Sequence, residues 1–305
     1  PQGQGHRTAI SQVIAEVLGI FPEEVAVESG FDSAVVGWSI AAGSYSSRFG
    51  PAVAGTAYLA ATRLRERLTR LASQHLNVDM GKLEFADGKI FTSGNPANSV
   101  PFRRIAGSSH WSPGTLPEGL EPVIQETATW TPPELTAPDS LDRINGAAAY
   151  GFIFDFCGIE IDKATHRVRI DHYVTMHDAG RTINPALLDG QIRGAFAHGI
   201  GAALFEQFRY DDDGQFLSGT FADYLVPTAC EMPDPIILHT ESPSPFTPLG
   251  TKGAGEGQSM STPVCVANAV ADALGVDDIE LPLTPDRVAS LMRDDEPPFR
   301  ATEKK

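Results

Sequence analysis

The sequence predicts an α+β fold, with mixed sheets flanked by helices. Three observations carry this. Helical patterns occur in separated stretches at 10–18, 51–75, 185–207 and 263–274. Strand pairs with turn residues between them occur at 82–91 and 148–177. The 305 residues, 42% hydrophobic and 20% charged, have ordinary globular composition and ample core. The length suits one large or two modest domains, and the expected division is 1–147 and 148–305.

The elements follow in order. Ile10, Val13, Ile14, Val17 and Leu18 keep helical spacing up to Gly19, and a short strand is expected at Glu24–Glu28. Residues 32–47 are rich in Gly, Ser and Ala and lead into a helix at about 51–75. The start of that helix, with serines nearby, offers donors to an anion, or the serines cap it. Its early residues are small (Ala52, Ala54, Gly55, Ala57), which predicts close packing, and its second half, Arg63–Arg70, is charged and reads as solvated. Lys82–Phe91 is a hairpin turning at Asp87-Gly88. Residues 93–145 have little periodicity, apart from a strand pattern at 119–130, and 131–147 reads as loop that covers a neighbouring subunit. Two long strands, 148–162 and 168–177, form a hairpin in the core of a sheet. Asn184-Pro185 opens a helix to about Gln207. Its Gly190, Gly194, His198 and Gly201 fall on one face, and interior glycines cost about 1 kcal/mol each, so something should press on that face. Gln191 lies on nearly the same side as His198, which by itself also suits a satisfied core histidine. Tyr210–Gly214 is an acidic surface turn. Strands are expected at 215–219 and 235–241, a helix from Pro263 to Leu274 ending at Gly275, and a last helix from Thr284-Pro285.

Composition excludes several functions. The net charge of −16 repels phosphate backbones and anionic membrane surfaces, so neither nucleic acid nor membrane is an expected partner. No run of eighteen apolar residues spans a bilayer, and the start lacks a signal-peptide pattern. Cys157, Cys230 and Cys265 form no CxxC, fit a reducing, cytoplasmic setting, and cannot build a zinc or iron–sulfur site. A loop and helix beginning at residue 3 read as the middle of a domain, so the first part of the fold is expected elsewhere.

One loop organises the rest. Gly250-Thr251-Lys252-Gly253-Ala254-Gly255-Glu256-Gly257 carries a single carboxylate among four glycines, after the proline-rich Pro243–Pro248. Glycine lets backbone pass close to a bulky ligand, so Glu256 reads as a carboxylate presented to something, or as a solvated residue on a surface turn.

GQGH at 3–6, GSYSSR at 43–48, DAGRTINPALLDGQIRGAFAHGIG at 178–201, SPSPFTPLGTKGAGEG at 242–257 and LTPDRV at 283–288 occur in one order. Together they resemble the molybdenum hydroxylase family (xanthine dehydrogenase, aldehyde oxidase, aerobic carbon monoxide dehydrogenase). The resemblance covers nearly all of the chain, and is to the C-terminal half of the molybdopterin-binding large subunit. It implies a molybdenum ion held by a pyranopterin with no direct protein ligand, in bacterial relatives as molybdopterin cytosine dinucleotide. A water-derived oxygen is inserted at an electron-poor carbon with a Glu as general base, here Glu256, which is then expected to be partly desolvated. Gly3, Gln4 and Gly5 resemble the loop near the pterin. Gly43, Ser44, Tyr45, Ser46 and Ser47 resemble the loop on the cofactor phosphates. Gln191 resembles the glutamine of the glycine-faced helix. Gly253 and Gly255 flank the base. His198, where the family usually has Gln, and Arg7 depart from the pattern. The expected partners are a second molybdopterin-binding chain carrying the N-terminal half, a [2Fe-2S] subunit and an FAD subunit, in a dimer of heteromers acting on a small molecule; the chain alone is expected to be inactive. Two alternatives stand beside this: a scaffold subunit that has lost its cofactor, and a carbon monoxide dehydrogenase-type enzyme. A generic nucleotide-binding enzyme is disfavoured, since neither GxxxxGK[ST] nor GxGxxG is present.

Overall fold

The computed structural model describes residues 1–30, 32, 34, 44–116, 118–119 and 124–293. Gly43 and residues 120–123 of the expected strand lie outside them. The chain forms two compact units, 1–150 with 181–184 and 243–253, and 151–180 with 185–242 and 254–305. Helices and one mixed sheet realise the predicted α+β class. Among the described residues no helix is long and apolar enough to cross a membrane.

In the first unit, helix α1 (His6–Leu18) starts after Gly5 at φ 77° and stops at Gly19 at φ 64°, left-handed conformations that glycine adopts without strain. A π-helical turn, Phe49–Ala54, runs into α2 (Gly55–Leu76). The small residues do their expected work at Gly55, where a Cβ would lie 3.1 Å from Pro248. Strands β1 (Leu83–Ala86), β2 (Lys89–Thr92) and β3 (Asn95–Pro101) form an antiparallel sheet in chain order. The β1–β2 turn is Asp87-Gly88 as predicted, with both residues at positive φ. Short helices α3 (Phe102–Ala106) and α4 (Ser108–Trp111) follow. Leu18, Leu68, Leu71, Phe85, Ile90, Val100 and Ile105 make the core.

Three expectations change here. The strand at Glu24–Glu28 is a 3-10 turn, Pro22–Glu24, because Glu24 folds back to accept the Phe21 N–H (3.1 Å) and an N–H of Arg103 (2.8 Å). Those bonds hold its carboxyl below the usual range. β3 fell in a stretch that showed no periodicity. No strand forms in the described part of 119–130. Its carbonyls at Thr127 and Gln125 accept from Arg63 (2.8 Å) and Arg67 (3.4 Å), and Arg67 pairs with Glu126 at 3.1 Å. The charged half of α2 is solvated at Arg63, Glu66 and Arg70, as expected, and it also lends Arg63 and Arg67 as donors to this extended segment.

In the second unit, β4 (Phe152–Ile161), β5 (Val168–Asp178) and β6 (Ile236–Thr240) form a mixed sheet with β5 central. β4 pairs antiparallel to β5, and β6 pairs parallel to it after the crossover helix α5 (Pro185–Leu204). The expected core hairpin is thus half right, for β4 is an edge strand. Asp162 shapes its turn by accepting the N–H groups of Ala164 (2.7 Å) and Thr165 (2.9 Å). Residues 215–219 supply one bridge, Phe216 to Tyr210, and no strand. Helices α6 (Gly257–Leu274) and α7 (Pro285–Met292) complete the unit. α6 starts six residues before Pro263, the predicted opening, because its first turn is seated on the sheet by side chains. Tyr173, Phe196, Ile200, Val266, Val270, Leu283 and Val288 form the core. Cys157 and Cys265, remote in sequence, hydrogen-bond across β4 and α6, which with burial pushes the Cys157 thiol pKa up.

Gly19 allows the tightest backbone approach in the first unit. A Cβ there would stand 2.3 Å from the Phe85 carbonyl carbon, and the φ is left-handed. Gly19→Ala is expected to lower stability by about 2–4 kcal/mol, read as an earlier urea midpoint at unchanged slope.

Candidate functional site

In the first unit four of the sequence motifs meet. Gly3 (φ 102°) and Gly5 take left-handed conformations, and the Gln4 side chain folds back to accept the Gln2 N–H at 2.5 Å. His6 then stacks on Phe49, ring centroids 3.9 Å apart and 2° from parallel, which sets the GQGH loop against the turn that follows Ser44–Ser47. Burial lowers the pKa of His6, so at neutral pH the stack is between uncharged rings. The Asn184 amide donates to Gln12 (2.9 Å), and the Arg181 N–H donates to the Gly250 carbonyl (3.0 Å). Gly253 lies tight on the serine loop: a Cβ there would be 2.6 Å from Ser47 Cβ and 3.1 Å from the Ser47 carbonyl.

Ser46 and Ser47 have φ of 56° and 51°. Arg48 after them is right-handed (φ −73°, ψ −16°), and such a change of handedness turns successive backbone N–H groups inward to form an anion-binding concavity. The N-cap position of the turn that follows is Arg48, whose side chain makes no capping bond. Ser44 through Thr56 contains hydroxyls and Arg48 but no carboxylate, a donor set suited to a phosphorylated ligand. The guanidinium of Arg48 lies over the Tyr45 ring at 4.8 Å. Thr251 is buried with a hydroxyl oxygen that has no hydrogen-bond partner.

The second unit holds Gln191, His198, Gly255 and Glu256. Gln191 is half-buried on α5, and His198 is exposed, which removes the core-histidine reading. Gly190 and Gly194 lie on the same exposed ridge, with no other atom within 4 Å of where a Cβ would stand. Within this unit the predicted pressure on that face comes only at Gly201, from Glu206 and Pro227. The glycine held against a helix is Gly199, on the opposite side, where a Cβ would be 2.5 Å from Thr262 Cβ. Helical spacing showed the ridge but could not show which side faced the core.

Glu256 is the residue before α6, at φ −105° and ψ −5°. Its side chain is exposed in this chain. Behind it lies a polar chain that the sequence did not reveal. The Tyr173 hydroxyl donates to Thr262 (3.1 Å), and the Thr262 hydroxyl donates to the Gln258 carbonyl oxygen (2.5 Å). The Gln258 amide nitrogen reaches Asp155 Oδ1 (3.0 Å), His177 Nε2 (2.9 Å) and the Thr175 hydroxyl. Gln258, Thr262 and Thr175 are fully buried. The signal lay in the alternation of polar residues, Tyr173, Thr175 and His177, on one face of β5, but nothing local pairs them with Gln258.

Burial lowers the His177 pKa to about 4, with Asp155 opposing the shift. The ring is neutral in the folded state and its Nε2 lone pair accepts. A histidine whose pKa falls on folding contributes stability above its unfolded value of about 6.5 and loses it as pH falls towards 4. Wild type is expected to lose up to about 3 kcal/mol from this group over that window. His177→Asn should flatten that part of the stability–pH profile, measured by urea unfolding at pH 4 to 7.

Residues 1–233 match the family model described as a molybdopterin cofactor-binding domain. The chain is 33% identical over 290 residues to the nicotine 6-hydroxylase large subunit of Paenarthrobacter nicotinovorans, covering 94% of this chain and 34% of that protein. It is 31% identical to the carbon monoxide dehydrogenase large chain of Hydrogenophaga pseudoflava, with the same two coverages. The crystal structure of quinoline 2-oxidoreductase from Pseudomonas putida 86 superposes with a TM-score of 0.82 at 32% identity, over 96% of this chain and 36% of that one. The chain thus spans about a third of the length of these relatives. With the family model matched over most of its length, and with relatives similar over nearly all of it, the chain belongs to the molybdopterin cofactor-binding domain family of the molybdenum hydroxylase large subunits.

Proposed function

We propose that this chain supplies the C-terminal half of the molybdenum-binding subunit of a hydroxylase, with Glu256 as its general base. The observation that carries the proposal is Glu256 itself: a carboxylate held at the start of α6, on a loop whose neighbouring glycines pack too closely for a side chain. The residues fit the cofactor. The serine loop is rich in donors and free of carboxylates, Gly3 and the Gly190–Gly194 ridge leave backbone open to a flat ligand, and the Thr251 hydroxyl is unpaired. By the family resemblance Gly3, Gln4, Gly5 and Gly253 are the proposed cofactor contacts of the first unit, and Gln191, His198 and Gly255 those of the second. Ser44 to Ser47 would hold the phosphates of a cytosine dinucleotide form. His198 supplies an imidazole donor where a glutamine amide is usual. When bound, the molybdenum cofactor supplies the insertion of a water-derived oxygen and takes up two electrons. Glu256 accepts the proton released as that oxygen attacks an electron-poor carbon of an N-heterocycle or aldehyde. Partner subunits with [2Fe-2S] centres and FAD carry the electrons away. The similarity to a carbon monoxide dehydrogenase large chain favours carbon monoxide as the second substrate to assay.

The outer face of the second unit's sheet supports a covering partner. Phe154, Met176 and Leu238 lie side by side across its three strands, as do Phe156, Val174 and Ile236. Phe154 is 58% exposed, Phe156 63% and Ile236 53%. A contiguous apolar patch of this kind marks an interface. The relatives that share this fold have about three times its length, and the occupant we propose is the part of the large subunit outside this chain, on a second molybdopterin-binding chain.

In the purified complex Glu256→Gln is expected to lower turnover by about 10²–10⁴-fold while molybdenum, by elemental analysis, stays at the wild-type level. Full turnover in that variant removes Glu256 from the mechanism. The paired change Phe154→Asp and Phe156→Asp should release the second chain from the complex, seen by mass spectrometry of the purified material, with the far-UV spectrum unchanged.

A further inference from the structure

We propose that Gln258 is the positioning residue for Glu256, fixing the direction of the carboxylate from two residues away. This rests on the reading of Glu256 as the base. The first turn of α6 is poorly held by its own backbone. No side chain caps it. Its first residue is Gly257, a weak helix former, and Pro263 has no N–H to give to the Ser259 carbonyl. What holds the turn is the sheet beneath it. Gly257 lets the backbone press on β4, where a Cβ would stand 1.9 Å from Ile153 Cδ1. The Gln258 amide then ties the turn to β4 through Asp155 and to β5 through Thr175 and His177. Its carbonyl oxygen accepts from Thr262, one turn on in the same helix, so both ends of the amide are held.

Buried groups of this kind have no water to fall back on. Losing the amide leaves the Asp155, His177 and Thr262 groups without it, and Asp155 Oδ2 is already buried with no partner. No other amide orientation offers donors to both Asp155 and a neutral His177, so the side chain has one stable arrangement. The peptide that follows Glu256 is locked with it, and with that peptide the direction of the carboxylate.

The test uses the assembled enzyme and Gln258→Met, which keeps length and approximate volume but removes the hydrogen bonds. Turnover is expected to fall about 10²-fold with KM and molybdenum content unchanged. Amide hydrogen exchange over residues 257–262, read by mass spectrometry, should rise roughly ten-fold, with 264–274 unchanged. In a Glu256→Gln background the same change should cost nothing more, because a residue that acts through Glu256 has no further effect once the carboxylate is gone. Wild-type turnover, unchanged exchange at 257–262, or an equal loss in the Glu256→Gln background each overturns the proposal and leaves the base intact. Full turnover in Glu256→Gln alone overturns the base and this proposal with it. If Gln258→Met does not assemble, Thr262→Val, which frees only the carbonyl end of the amide, is read by the same three measurements and the same criteria.

Discussion

A buried primary amide must find all its partners within the protein, and the sheet side of the second unit is arranged around that demand. Gln258 has no exposed surface, so its carbonyl and its nitrogen must be satisfied by side chains. β5 supplies Thr175 and His177 from alternate positions on one face, β4 supplies Asp155, and α6 supplies Thr262. The neutral state of His177 belongs to the same logic. A protonated ring would have no lone pair for the amide and would add a buried charge, and burial already disfavours that charge. The helix that carries Glu256 is thus registered on the sheet by polar contacts, with apolar packing by Val266 and Val270 further along.

The first unit depends on a different constraint, the absence of side chains. Gly55 meets Pro248, Gly253 meets Ser47, and Gly50 lies 3.5 Å from the Lys252 carbonyl by the position its Cβ would take. These contacts let the 243–253 segment, distant in sequence, lie along the serine loop and the turn before α2. His6 on Phe49 and Asn184 on Gln12 attach the other two motifs. Four motifs scattered over 250 residues of sequence serve one region because each has small or flat groups at the point of contact.

Legibility differed between the two kinds of constraint. The glycine positions are visible as letters, and so were the hairpin turn at Asp87-Gly88 and the helix stop at Gly19, since local conformation alone selects them. Pro263 misled for a similar reason: a proline suits a helix start locally, but here the start was set by Gln258 reaching the sheet. The strand pattern at 119–130 misled because alternation does not say what pairs with the backbone, and arginine side chains of α2 took the place of a neighbouring strand at Gln125 and Thr127.

The sequence by itself determined the fold class, the motif order that marks the family, and Glu256 as the one carboxylate of its loop, because turn residues, helical periodicity and motif spacing are local properties. Only the tertiary structure decided which side of α5 is packed, that β4 is an edge with an apolar outer face, and that Gln258 joins Asp155, Thr175 and His177. Those facts depend on contacts between residues far apart in sequence, such as Gln258 with His177, Thr175 and Asp155 at separations of 81, 83 and 103, and no local rule encodes such a pairing.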